Sequence, residues 1–237
     1  MNDLKSYLAG IAIGVKFRNN FSIEDYLGSI ADTLLFGKNG GLLNSITFPH
    51  HTSDISSSQI SLYNQNTGDN LTINANNIIL DMNFSDDIPK EKSNDLIDEY
   101  FKSLTDKIYD IVNIRDIKMI GLVHKYLIDD ESSAKVIYKI FKEITFDDAT
   151  SITVNFSKKN ITPDSKVKKE INDYENVICT LSMKNNNKNI YFFQVDYQHY
   201  YDPRLDSIID IPYKDFVKKV INYNNETIQK WIKSHEK

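Results

Sequence analysis

The amino-acid sequence predicts an α+β protein whose two halves repeat one order of elements: strand, short helix, several antiparallel strands, long helix. Three observations predict it. Short runs of β-branched and aromatic residues are joined by polar turns, the signature of consecutive antiparallel strands. Residues 93–112 and 212–232 carry apolar side chains at helical spacing. After a junction at residues 110–116 the series starts again, which divides the chain into halves 1–113 and 114–237. The halves agree in element order and not in residue identity.

The first half opens on an apolar run over residues 8–17, bounded by Asn19 and Asn20. Ser22 then offers a cap, and Glu24 and Asp25 suit the positive end of a helix dipole. Tyr26, Leu27, Ile30, Ala31, Leu34 and Leu35 give that helix one apolar stripe, and Gly37 ends it. Strands are expected at 45–48, 60–64, 71–74 and 78–84, with Asn66-Thr67-Gly68-Asp69 as a hairpin turn. The helix at 93–112 carries Ile97, Tyr100, Phe101, Leu104, Ile108 and Ile111 on one side.

The second half reads the same way. A strand at 118–128 precedes a helix bearing Val136, Ile137, Ile140, Phe141 and Ile144, capped by Asp130 or Ser132. Strands follow at 151–156, 177–183 and 190–200, with a polar connection over 157–176. Pro212 stands at the first position of the last helix, whose stripe runs from Phe216 to Ile232. A helix this long needs an apolar surface, and a sheet face supplies one. The pattern fits two sheets or one continuous sheet equally well.

Composition places the 237-residue chain among globular proteins, with 41% hydrophobic and 26% charged residues. A net charge of −5 argues against a dedicated nucleic-acid binder, which presents a basic face. The single cysteine, Cys179, cannot form an internal disulfide and fits a reducing cytoplasm. It falls in a strand-like run, where a buried and inert thiol is expected. No segment reads as a signal peptide or a membrane span, so no membrane partner is expected.

The chain offers few chemical motifs. The densest polar cluster is Asp196-Tyr197-Gln198-His199-Tyr200-Tyr201-Asp202. Asp196 and His199 are metal-ligand types, but residues three apart on a strand point to opposite faces. His50, His51 and Asp54 form a second group, in a Ser-rich stretch that reads as a loop. His124, between Val123 and Lys125, reads as a histidine hydrogen-bonded at a sheet surface, where it could also help form a pocket. Neither a nucleophile elbow nor a phosphate-binding glycine loop is present. The expectation is therefore no catalytic residue, no metal and no cofactor, with His124, Tyr126, Asp196, His199 and Tyr200 as a candidate partner or ligand surface.

Residues 192–197, ending in Val195-Asp196-Tyr197, are followed by a polar gap and a long helix closing on Tyr223, Ile228 and Trp231. The run over 115–128 follows another long helix. In these features the chain resembles a sporadically distributed, uncharacterised family of bacterial proteins of about this length. It departs from that family at His124-Lys125-Tyr126, where the family carries an arginine-aromatic-x-asparagine-arginine pattern. The resemblance implies a bacterial or phage setting and no particular activity. The wealth of Asn, Ile, Lys, Asp and Tyr points the same way, to an AT-rich genome.

The leading functional expectation is a non-enzymatic interaction or regulatory protein, acting in defence, counter-defence or a mobile element. Its partner is another protein or a second copy. One alternative is a small-ligand pocket between helix and sheet. Another is a metal-dependent hydrolase using Asp196, His199 and His50 or His51.

Overall fold

A computed structural model of the chain describes residues 7–36, 51–55, 58–64, 68–84, 96–129, 131–144, 153–161, 173–183 and 190–234. The first half supplies β1 (Leu8–Phe17), α1 (Ser22–Phe36), β2 (His51–Ile55), β3 (Gln59–Asn64), β4 (Asn70–Asn74) and β5 (Asn77–Asn83). A π-helical turn, Leu96–Phe101, then leads into α2 (Lys102–Ile111). The second half supplies β6 (Arg115–Ile128), α3 (Glu131–Ile144), β7 (Thr153–Ile161), β8 (Tyr174–Met183) and β9 (Tyr191–Ser207). It closes with α4 (Tyr213–Tyr223), a π-helical turn (Asn224–Ile228) and α5 (Gln229–Ser234).

The nine described strands form one sheet, in the order β2-β3-β4-β5-β1-β6-β9-β8-β7. Every neighbouring pair is antiparallel. At roughly 4.8 Å per strand spacing the sheet is about 38 Å wide. The first strands of the two halves, β1 and β6, are joined along the middle, with Gly14 opposite Gly121.

Alternation decides which side of the sheet is the core. Ile11, Ile13, Val15 and Phe17 of β1 are buried, as are Ile78, Leu80 and Met82 of β5 and Tyr191, Phe193, Val195 and Tyr197 of β9. They join one hydrophobic cluster with Ile23, Leu27, Ile30 and Leu34 of α1, Leu104 and Ile108 of α2, and Phe216, Val217 and Val220 of α4. Tyr197 meets the edges of Phe216 and Tyr223, at ring separations of 6.1 and 5.4 Å. The two halves also touch through Tyr213 of α4. Its ring packs edge-on to Phe101 at 5.9 Å, and its hydroxyl lies 3.1 Å from Thr105 Oγ1.

Several local expectations shift. Asn20 takes the capping role expected of Ser22, because its Oδ1 accepts the Ser22 N–H at 3.1 Å and its carbonyl accepts Ile23 N–H. Tyr26, placed in the α1 stripe, is 48% exposed. Residues His51–Ile55, read as a loop, are an edge strand whose pairing to β3 runs from His51↔Asn64 to Ile55↔Ile60. The last strand runs on to Ser207, since Leu205 and Ser207 pair with Ile117 and Arg115 of β6. The expected strand at 45–48 and the middle of the 157–176 connection lie outside the described residues. Asp116 adopts φ 56°, a left-handed conformation that Asp tolerates, at the register shift where β1 gives way to α1.

Two central glycines predict opposite responses. A Cβ on Gly10 would stand 2.6 Å from the Met82 carbonyl oxygen, a backbone atom that cannot turn aside. Gly10→Ala is expected to cost about 2 kcal/mol. A Cβ on Gly121 meets nothing closer than Met119 Cε at 3.7 Å. Gly121→Ala is expected to lie within about 0.5 kcal/mol of the parent or to stabilise it. Chemical denaturation of both variants checks the pair, and equal losses would contradict it.

Candidate functional site

The side of the sheet opposite the core supplies the other half of each alternation. At its centre lie Ala12 and Gly14 of β1 and Gly121 and Val123 of β6, all short side chains. Where they leave space there is a depression of about 240 Å³, lined also by Lys16, Asn77, Ile79, Met119, Asp196 and Gln198. All its lining residues come from strands, and no described helix reaches it. Ile79 is 41% exposed at its wall.

A fixed polar network forms one flank. Gln198 Nε2 donates to Asp196 Oδ2 at 2.7 Å. Gln198 Oε1 accepts from Tyr200 Oη at 3.0 Å and from Asn176 Nδ2 at 3.2 Å. The Tyr200 ring stacks on Tyr174 with centroids 4.5 Å apart, and Lys159 Nζ lies 3.9 Å over the Tyr174 ring. Burial raises the Asp196 carboxyl above its ordinary range, and the Gln198 hydrogen bond opposes this. On the other flank Lys125 Nζ crosses to Asp81, at 2.5 and 2.7 Å from the two carboxylate oxygens.

The residues singled out from the sequence divide between the two faces. Asp196 and Tyr200 belong to the network beside the depression. His124 and Tyr126 lie buried on the core side, stacked with centroids 6.2 Å apart. Tyr126 Oη accepts from Asn224 Nδ2 at 3.2 Å, which ties β6 to the last π-helical turn. Burial lowers His124 from 6.5 to about 4, so the imidazole is neutral near pH 7.

His199 also faces away from Asp196. It belongs to a second cluster, on the core side of β8 and β9. Its Nε2 lies 3.1 Å from Asp173 Oδ2 and its Nδ1 3.6 Å from Glu175 Oε1. Glu175 accepts from Tyr197 Oη at 2.5 Å and pairs with Lys219 of α4. Burial pushes the Glu175 carboxyl up, but hydrogen bonds from His199, Lys219 and Tyr197 and the Lys219 charge outweigh it and hold the group at about 2. Asp196 and His199 therefore do not converge, and among the described residues no three His, Cys, Asp or Glu side chains are grouped to hold a metal. Cys179 is buried, which pushes its thiol up to about 12 and leaves little thiolate near pH 7.

Sequence reasoning missed the floor of the depression. The signal was present: glycines at 10, 14 and 121 interrupt runs that otherwise read as strands, which marks close backbone approach or missing side chains. No protein-family model matches the chain, and no curated protein matches it. No described helix is long and apolar enough to cross a membrane.

Proposed function

We propose that the chain is a non-enzymatic binding module that docks another protein on the side of its sheet opposite the core. The observation that carries this is the central depression on that side, floored by Gly14 and Gly121 and walled by Ile79 and Met119. An apolar centre surrounded by hydrogen-bonding groups is the anatomy of a protein interface. The surround here is Asn176, Gln198, Tyr200 and Tyr174, with Lys125 and Lys159 already engaged by Asp81 and Tyr174. The long helices occupy the core side and act as the support that keeps this face rigid. A bacterial or phage setting, with a regulatory role in defence, counter-defence or a mobile element, is the context we assign.

We also read the two halves, 1–113 and 114–237, as copies of one unit. From the β1–β6 pair outward the strand order is first, last and then backwards in both directions: β1-β5-β4-β3-β2 and β6-β9-β8-β7. The docking site would then lie on the seam between the copies.

A photo-reactive residue at position 79, tested in cells of the native host, is expected to cross-link a discrete partner. The same probe at position 138, on the exposed part of α3, serves as the control. Cross-links from 138 and none from 79 would overturn the docking reading.

A further inference from the structure

The charges around the depression are unevenly satisfied. Asp196 spends one carboxylate oxygen, Oδ2, on Gln198. Its other oxygen, Oδ1, is aimed over the glycine floor: a Cβ built on Gly121 would stand 3.9 Å from it. No described donor reaches that oxygen. Two lysines of the described residues stand nearest to it. Lys125 is the next residue but one from Val123, the cross-strand neighbour of Asp196. Its ammonium turns the other way, over Gly10 and Ala12, to Asp81. Lys16 lines the opposite end of the depression and its side chain is exposed to water. A partly desolvated carboxylate thus faces an apolar recess without a counter-ion among the described residues, a costly arrangement in isolation.

The surroundings fix this oxygen in place. Gln198 is held by Tyr200 and Asn176, so the Asp196 carboxylate is oriented before anything binds. Preorganised acceptors of this kind favour a charge-assisted donor. The walls are Met119, Ile79 and Val123, and the floor is bare strand backbone at Gly14 and Gly121. A flat, weakly hydrated cation fits such walls better than a compact, strongly hydrated ammonium.

We propose that the depression is an arginine pocket: a guanidinium from the partner protein enters over Gly121 and donates to Asp196 Oδ1. This rests on the docking reading above and names the partner's anchor. The net charge of −5 favours approach of a basic partner segment. One arginine in a central, water-excluding pocket is also how few residues come to carry most of an interface's affinity.

The test uses the full chain and small probes. N-acetyl-arginine methylamide is titrated while the amide signals of Gly14 and Gly121 are followed by NMR. The neutral isostere N-acetyl-citrulline methylamide is titrated in parallel. Saturable shifts are expected with the arginine probe, and affinity about tenfold weaker with citrulline and with the Asp196→Asn variant. Asp196→Asn keeps an acceptor for Gln198, so its fold is expected to match the parent by circular dichroism. Equal affinity for the two probes, an unchanged affinity in Asp196→Asn, or no saturable shift would overturn the pocket. Cross-linking from position 79 without arginine binding would leave the docking face standing and remove only its arginine anchor.

Discussion

Acidification from pH 6.5 to about pH 4 is expected to cost the fold about 3 kcal/mol through His124 alone. The imidazole is buried beside Tyr126, between Ile11 and Val195 on the neighbouring strands, and its Nδ1 has no hydrogen-bond partner among the described residues. No described group there stabilises a positive charge. The folded state therefore binds the proton less readily than the unfolded chain, in which the value is near 6.5. The contribution is fully present above 6.5, is lost as pH falls toward about 4, and changes no further below. Glu175 acts in a lower window, because its folded value of about 2 lies below an ordinary 4.5 and its contribution goes only as pH drops beneath the latter. Urea denaturation of the parent and of His124→Leu across both windows separates them. The parent is expected to weaken between pH 6.5 and 4 far more than the variant. Parallel curves for the two proteins would contradict the assignment.

Glu175→Ala is expected to cost about 3 kcal/mol at neutral pH. The side chain is 7% exposed and serves three groups at once: Tyr197 of β9, His199 of β9 and Lys219 of α4. Its removal leaves the Tyr197 hydroxyl buried among Phe216 and Tyr223 without an acceptor. Glu175→Gln keeps an acceptor for Tyr197 and is expected to cost about half as much. Lys219→Met should cost less again, since Lys219 is 49% exposed and its charge is partly hydrated. Urea midpoints for the three variants test this order. A loss under about 1 kcal/mol for Glu175→Ala would show that the cluster is dispensable.

Periodicity carried most of the architecture. β1 was legible at its true bounds because Ile11, Ile13, Val15 and Phe17 alternate with Gly, Ala and Lys, and the strand is flanked by asparagines. The last helix was legible because Phe216, Val217, Val220, Ile228 and Ile232 all reach the core. β2 was not legible, because His51-Thr52-Ser53-Asp54-Ile55 has no apolar alternation and owes its strand to pairing with β3. The extension of β9 to Ser207 was hidden for the same reason: β6 dictates it, against a local sequence containing Pro203. Of the site, Asp196 and Tyr200 were visible as a polar-aromatic cluster. Parity along β9 separates Asp196 from His199, yet the candidate surface joined them and added His124 and Tyr126, which the fold buries on the core side. The depression itself was not visible, because it depends on which strands become neighbours. Gly14 and Gly121 lie far apart in sequence, and only the β1–β6 pairing brings them together.

That pairing also sets a timetable for synthesis. β1 leaves the ribosome before the other described strands but occupies the middle of the finished sheet. One of its edges must wait for β5 and the other for β6. Gly14 waits 107 residues for Gly121, which at ordinary translation rates is about 5–20 s. Until β6 emerges, the Gly, Ala, Ile and Val of β1 lack the partner they have in the finished sheet, and unpaired apolar segments of this kind recruit chaperones or pair with neighbouring chains. The strand at the middle of the sheet is thus the one whose partner arrives latest among the described pairs.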